Sequence, residues 1–511
     1  MLIPTLRREW LTNPPRELLA GAVATFALIP EVIAFSFAAG VDPQVGLFGS
    51  FVIGIVIAFT GGRPAMVSAA AGSVALVAAP LVASHGLSYL LAAGLLAGLL
   101  QIVFGVLRLG VLMRFVSQSV RTGFVNALAI LIFAAQVPHL LGEAWQTYAV
   151  FVAGLAIIYG VPRLTTAIPS PLVAIAALTM VASLLHLPVK TVADLGLLPS
   201  SLPSFAWPTV PLSWETLRII AGPAIAIAMV GLLESLMTAT VVDDLTQTPS
   251  PKNRECTGLG LANMAASLFG GIAGCGMIGQ TVSNVKYGGR GRLSTLFSCA
   301  FLLVLMVALK PWVSQVPVAV LVAIMVMVSV DTFNWSSLKA VVAHPRMSST
   351  VMLATVAVTV VSHNLALGVL VGVLLSGVFF TFKVARLMQV RAAPDAATGR
   401  LTYHVTGQVF FASADAFIDA FELGTHGETS VRIDVSQAHF WDVTAVAALD
   451  KVVGRYRAND ITVEVAGMSQ ATATIVDRLT IHDKRRPALL ERWSKAYHAP
   501  SPVCSDAASN E

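Results

Sequence analysis

Fourteen apolar runs follow one another along most of this chain, and no other feature limits its fold so tightly. They read as Leu18–Ala38, Val45–Thr60, Ala69–Ser84, Leu87–Leu107, Gly123–Val137, Thr147–Tyr159, Pro171–Leu185, Leu217–Val241, Thr257–Ile272, Met277–Val285, Leu293–Leu309, Val316–Val330, Ser349–Val361 and Leu365–Val384. A bilayer core about 30 Å thick takes about 20 helical residues to cross. A soluble domain has no interior large enough for so many such runs. Composition agrees: 12% of the residues are charged and 56% hydrophobic, where soluble domains carry about 25% charge. Met1–Pro15 is polar and basic, and the first run is long enough to span, so a cleavable signal peptide is not expected.

Loop charges orient the segments. If the N-terminus is cytoplasmic and the runs alternate, the cytoplasmic loops hold 15 Lys and Arg before the last span and the external loops hold only Lys190, Arg218 and Lys310. That asymmetry is what the positive-inside rule requires. The same parity puts the C-terminus in the cytoplasm of a cell (inner) membrane protein. Charge then rises sharply: 27 of the last 121 residues are Lys, Arg, Asp or Glu. Leu401–Val409 alternates like a strand, Ala414–Leu423 is helical in period, Ser430–Val435 and Ile461–Val465 read as strands, and Ala445–Arg457 and Ser469–Leu479 as helices. This predicts a small α/β domain at 400–497 behind a membrane domain at 16–389. Residues 1–15 form a cytoplasmic N-terminus, 390–399 a linker containing Pro394, and 498–511 a disordered tail.

Two of the runs are short and start in small residues. The third begins in Ser68-Ala-Ala-Ala-Gly72-Ser73 and the tenth at the end of Gly270-Gly-Ile-Ala-Gly274-Cys-Gly276. Short, glycine-interrupted segments at matching places in two halves point to a transporter's midplane site. They lie seven segments apart, an odd number, so the halves have opposite orientation: a 7+7 inverted repeat.

The basic residues sit in short loops, so the sequence pI of 9.1 argues for topology and not for nucleic acid. Cys256, Cys275, Cys299 and Cys504 are scattered without metal or disulfide spacing. No Walker motif and no enzyme constellation is present, so neither an enzyme nor an ATP-driven pump is expected, and no cofactor.

Further elements stand in a fixed order: Ile29-Pro30; Glu234-Ser-Leu-Met-Thr-Ala239; Asn253-Arg-Glu255; Gly258-x-Gly260-x-x-Asn263; Phe269-Gly-Gly271; and Asn284-Val-Lys-Tyr-Gly288 through Leu293. These resemble the sulfate permease family of anion transporters. Ile433-Asp-Val-Ser436 followed by Asp442-Val-Thr444 is similar to a STAS domain. The resemblance implies two intertwined seven-segment repeats, a core domain that carries substrate and a gate domain, and usually a homodimer. Substrate would be a small anion held between the facing N-termini of half-helices 3 and 10. Backbone donors are expected at Ala71, Gly72 and Ser73 and at Gly276, Met277, Ile278 and Gly279, because a helix start offers free N–H groups and about half a positive charge. Many members carry arginine where this chain has Gln280, which can hydrogen-bond an oxyanion without neutralising it.

Two acids fall within the apolar runs, Glu31 and Glu234, and intramembrane carboxylates are functional candidates by default. Beside a bound anion they must lose charge, which a proton or sodium ion achieves, so cation and anion binding become linked. Glu234 aligns with the family's cation-coupling acid and Thr238 with an assisting hydroxyl. The expectation is cation-coupled symport of sulfate, bicarbonate or a C4-dicarboxylate, with a proton favoured over sodium. Alternatives are an uncoupled channel or exchanger, a nucleobase permease of like architecture, and a membrane-anchored signalling scaffold. Phe26 and Phe35 are candidate cavity residues. In the C-terminal domain Thr444 aligns with a phosphorylated position, flanked by Asp434 and Asp442. A helix N-cap role explains the same residues.

Overall fold

The computed structural model describes residues 9–10, 13–111, 116–164, 170–194, 196, 202–343, 346–395, 400–422, 430–468 and 473. The chain divides into two compact units, Met1–Ser376 and Gly377–Glu511.

The first unit is helical. Helices α1 (Pro14–Ala38) and α2 (Pro43–Thr60) each open on proline, whose missing N–H is no loss in a first turn. Strand β1 (Ser68–Ala70) leads into α3 (Gly72–His85), then α4 (Leu87–Val106), α5 (Gln118–Gln136), α6 (Trp145–Leu164) and α7 (Ser170–Leu184). Helix α8 (Trp214–Thr246) runs for 33 residues. The Ser213 hydroxyl accepts its Thr216 N–H at 3.2 Å, and Gln247 closes it in the left-handed region at φ 52°. Helix α9 (Lys252–Leu268), strand β2 (Gly274–Gly276), α10 (Ile278–Lys286), α11 (Arg292–Ala308) and α12 (Val318–Thr332) follow. A short surface helix, α13 (Ser336–Ala343), precedes α14 (Arg346–Ser362) and α15 (Leu365–Ala385).

Each of the fourteen apolar runs thus falls on a helix. Among the described residues eight are long and apolar enough to cross a membrane: α1, α2, α4, α5, α6, α8, α12 and α15, counting the turns after α5 and α12. The shorter apolar helices are α3, α7, α11 and α14.

The packing carries an internal symmetry. Helix α4 packs on α8 and α9, while α11 packs on α1 and α2. Helix α5 packs on α14, and α12 on α6. With α14 counted as the thirteenth apolar segment, a shift of seven converts each pair into its counterpart. Eight helices, α1–α4 and α8–α11, form one bundle. Helices α5–α7, α12 and α14 form a second, joined by α15, whose Gly368 and Gly372 lie against Thr359 and Thr355. Small residues allow the closest crossings. A Cβ on Gly98 of α4 would stand 2.6 Å from the Gly260 carbonyl of α9. Apolar segments gain little from hiding from lipid, so such backbone proximity supplies much of the packing attraction.

The second unit is a four-stranded sheet in the order β3-β4-β5-β6. Strand β3 (Gln389–Asp395) is antiparallel to β4 (Arg400–Val409), and β4, β5 (Ser430–Phe440) and β6 (Thr462–Ala466) are parallel. Helices α16 (Ala414–Asp419) and α17 (Val443–Arg457) complete the described elements. Alternate residues of β4 and β5 (Leu401, Tyr403 and Val405; Val431, Ile433 and Val435) are buried against Phe417, Leu449, Val453 and Tyr456. Six of the ten expected linker residues are therefore strand: 390–395 pair with β4 because the extended Leu401–Val409 edge offers a free ladder. The expected helix Ser469–Leu479 and the tail lie outside the described residues, apart from residue 473.

Candidate functional site

Short β1 and β2 cross each other antiparallel, with Ser68 opposite Gly276, Ala69 opposite Cys275 and Ala70 opposite Gly274. All six residues are buried. A two-stranded ladder inside a membrane leaves edge groups that water cannot satisfy. Here side chains do it. Ser50 Oγ accepts the Ala70 N–H at 3.1 Å, and Thr281 Oγ1 accepts that of Val67 at 2.9 Å. Ser235 Oγ accepts the Gly276 N–H at 2.8 Å. The Asn263 amide replaces a whole strand partner: Oδ1 accepts from Gly274 N at 2.9 Å and Nδ2 donates to Gly274 O at 3.1 Å. Nδ2 also donates to Gln101 Oε1 at 2.9 Å.

Each strand turns at once into a helix, α3 after Ala71 and α10 after Met277, and neither start is capped by a side chain. Both starts line one cavity of about 440 Å³. The core bundle contributes Glu31 and Phe35 from α1, Ala71, Gly72 and Ser73, Glu234 from α8, and Met277 through Gln280. The second bundle closes it with Phe124, Leu128 and Ile132 of α5 and Met327 and Asp331 of α12. Three carboxyl groups and no Lys or Arg face this space among the described residues.

Glu234 is held firmly. One oxygen accepts from the Ser73 hydroxyl in a short hydrogen bond and from the Cys275 thiol at 3.1 Å. The Glu31 carboxyl, in the same cavity, lies beside the Gln280 amide. Phe35 lies on the start of α3, where a Cβ on Gly72 would come within 2.6 Å of its ring. A Cβ on Gly279 would meet nothing within 4 Å. One helix start is therefore covered by an aromatic face and the other is open.

Several predicted roles change. The N–H groups of Gly276 and Met277 are engaged by Ser235 Oγ and Val67 O, so neither is an anion donor. Thr238 shares its hydroxyl proton between the carbonyls of Glu234 and Gly276, 2.8 Å each. It clamps β2 to α8 and does not line the cavity. Phe26 lies edge-on to Phe301 and borders a larger cavity of about 890 Å³ that also holds Ile33, Leu172 and Trp312. Among the described residues no charged side chain lines that space, so its size alone does not favour an anion. Asn263 is buried against the crossing strands. Asp331 was missed: the apolar run was ended one residue before it.

The loop from Asn284 to Arg292 anchors structure. Glu17 of α1 accepts the N–H groups of Arg290 at 2.7 Å, Gly291 at 2.8 Å and Ser294 at 3.1 Å, capping α11. Arg292 donates to the Ala58 and Gly61 carbonyls, 2.9 Å each.

In the second unit Asp442 is an N-cap: its Oδ1 accepts the Ala445 N–H of α17 at 2.8 Å, and Oδ2 that of Phe411 at 2.8 Å. Thr444 is exposed in the first turn. Asp434 does not flank it. It lies six residues before the end of β5, about 20 Å along the strand, where the Ser436 N–H and His404 hold its carboxyl below the usual range.

The sequence matches the sulfate permease family over residues 16–155 and 143–355, and the STAS domain over residues 388–489. The putative sulfate transporter YbaR of Bacillus subtilis is 50% identical over 475 residues, 93% of this chain and 99% of that one. The transmembrane domain of a cyanobacterial bicarbonate transporter, BicA, superposes with a TM-score of 0.63 at 28% identity, over 71% of this chain and 98% of that one. Murine solute carrier 26 family member A9, an anion transporter solved in an inward-facing state, gives a TM-score of 0.81 at 16% identity over 93% and 89% of the chains. That last likeness is one of fold.

Proposed function

The chain belongs to the sulfate permease family, and we propose that it is a secondary active transporter coupling uptake of a small anion to entry of a cation, a proton rather than sodium. One observation carries the reading: two uncapped helix starts face a cavity that holds Glu31 and Glu234 but, among the described residues, no basic side chain. Helix starts attract an anion, and the carboxylates repel it until they are neutralised. Either ligand therefore favours the other by linkage. Relatives named as sulfate and bicarbonate transporters support a small oxyanion as substrate.

The setting of Glu234 favours the proton. A Ser73 hydroxyl can donate to an ionised carboxylate or accept from a protonated one, so the pair serves both states without rearrangement. A sodium ion at that oxygen would compete with the hydroxyl and thiol that already reach it. Fourteen crossings, cytoplasmic termini and an inner-membrane homodimer complete the reading. Its two bundles meet at the cavity, and Asp331 lies next to the end of α12 that the loop charges put in the cytoplasm. Movement of the core against the gate would expose the site alternately to each side.

The test is uptake into proteoliposomes under an imposed proton or sodium gradient. An inward proton gradient drives accumulation above equilibrium, and Glu234→Gln removes that drive while the purified protein stays folded. Undiminished pH-dependent accumulation in the variant would take Glu234 out of the mechanism.

A further inference from the structure

The charge lining the cavity sets a limit on the charge of its occupant. Two helix starts together supply about one positive charge, roughly half from each. Nothing else on the wall adds to it: Gln280 is neutral, and Lys and Arg are absent from the described lining. Against that single charge stand Glu31 and Glu234 beside the helix starts and Asp331 on the gate. The remaining wall is mainly Phe35, Phe124, Leu128, Ile132, Met277 and Ile278, and an unpaired charge among such side chains is costly.

We propose that this cavity is built for singly charged anions, such as bicarbonate or a halide, and discriminates against dianions such as sulfate and C4-dicarboxylates. The inference rests on the transport reading above. Once Glu31 and Glu234 are neutralised, a monoanion matches the positive potential of the two helix starts. A dianion leaves one charge unmatched in an apolar enclosure. Asp331 adds to the selection, because its repulsion acts on the second charge as well as the first. Size does not decide: about 440 Å³ admits any of these ions.

Initial uptake of radiolabelled chloride, sulfate and fumarate is compared in proteoliposomes of the full chain, at equal concentration and under one inward proton gradient. Unlabelled bicarbonate serves as a competitor of chloride. Monoanions are expected to be handled at least about tenfold better than either dianion, a factor that corresponds to about 1.4 kcal/mol. Sulfate or fumarate uptake equal to or above that of chloride, with bicarbonate failing to compete, overturns the proposal. This comparison uses the wild-type protein, so it does not depend on a variant folding. Gln280→Arg adds the missing charge and should raise the sulfate-to-chloride ratio about tenfold; an unchanged ratio in a folded variant counts against it. The parent reading fails differently, through absence of gradient-driven flux for every anion, and the charge selection falls with it.

Discussion

Helices α3 and α10 occupy equivalent places in the two halves, yet their starts are built differently. Helix α3 runs for 14 residues and α10 for 9. The α3 start is crowded: Phe35 lies on Gly72, and Ser73 is bonded to Glu234. The α10 start is open: Gly279 has empty space beside it, and Gln280 reaches toward Glu31. Upstream the weighting reverses. Strand β1 gains a bond from Ser50 at Ala70, whereas β2 is gripped at Gly274 and Gly276 by Asn263, Ser235 and Thr238. A repeated backbone has thus been divided in labour. The α3 side is tied to Glu234, and the α10 side is open to the cavity.

Substitutions can break this division. The largest effect is expected at Glu234, where Glu234→Gln should reduce concentrative uptake to the level of protein-free liposomes. Next comes the strand support. Asn263→Ala leaves both the N–H and the carbonyl of Gly274 without their partner, at about 1–3 kcal/mol each. Ser50→Ala orphans one N–H, and its loss of thermal stability in detergent should be about half as great. Equal losses would mean that the two strands are supported alike. Gly72→Ala should cost about 1–3 kcal/mol by overpacking against Phe35, and Phe35→Leu in the same chain should recover much of it. Gly279→Ala should leave the melting temperature unchanged but weaken anion uptake severalfold, since its methyl group enters the approach to the backbone. If Gly279→Ala unfolds the protein or leaves uptake intact, the open start has been misassigned. The smallest effect is expected in the second unit: Asp442→Ala removes the cap of α17, about 1 kcal/mol of local stability, with uptake little changed.

Much of this was legible in the sequence, for identifiable reasons. Hydropathy is a one-dimensional property, and each apolar run, Leu18–Ala38 through Leu365–Val384, coincides with a helix. Small residues before the third and tenth runs marked the half-helices. What periodicity cannot carry is partnership across the chain. Ser68–Ala70 and Gly274–Gly276 are three-residue strands without internal signal, created only by each other. Thr238 was singled out by the family resemblance, as a hydroxyl assisting Glu234. The carbonyl that claims its hydroxyl lies 38 residues later. Asn263 carried no sign of its role, because its partner, Gly274, has no side chain to advertise the bond. Asp331 had a weak signal available, an acid at the margin of an apolar run, and only the packing of α12 shows that it faces the cavity.

The crossing strands also bear on how the gene can change. Their register, Ser68 with Gly276 through Ala70 with Gly274, fixes the offset between the two helix starts to a single residue step. Successive strand residues point to opposite faces. One codon gained or lost between Ser68 and Gly72, or between Gly274 and Ile278, would turn Ser73 or Gln280 away from the cavity while leaving hydropathy untouched. Point substitution can therefore explore these segments, whereas insertion and deletion cannot, and length variation should be confined to the external and cytoplasmic loops.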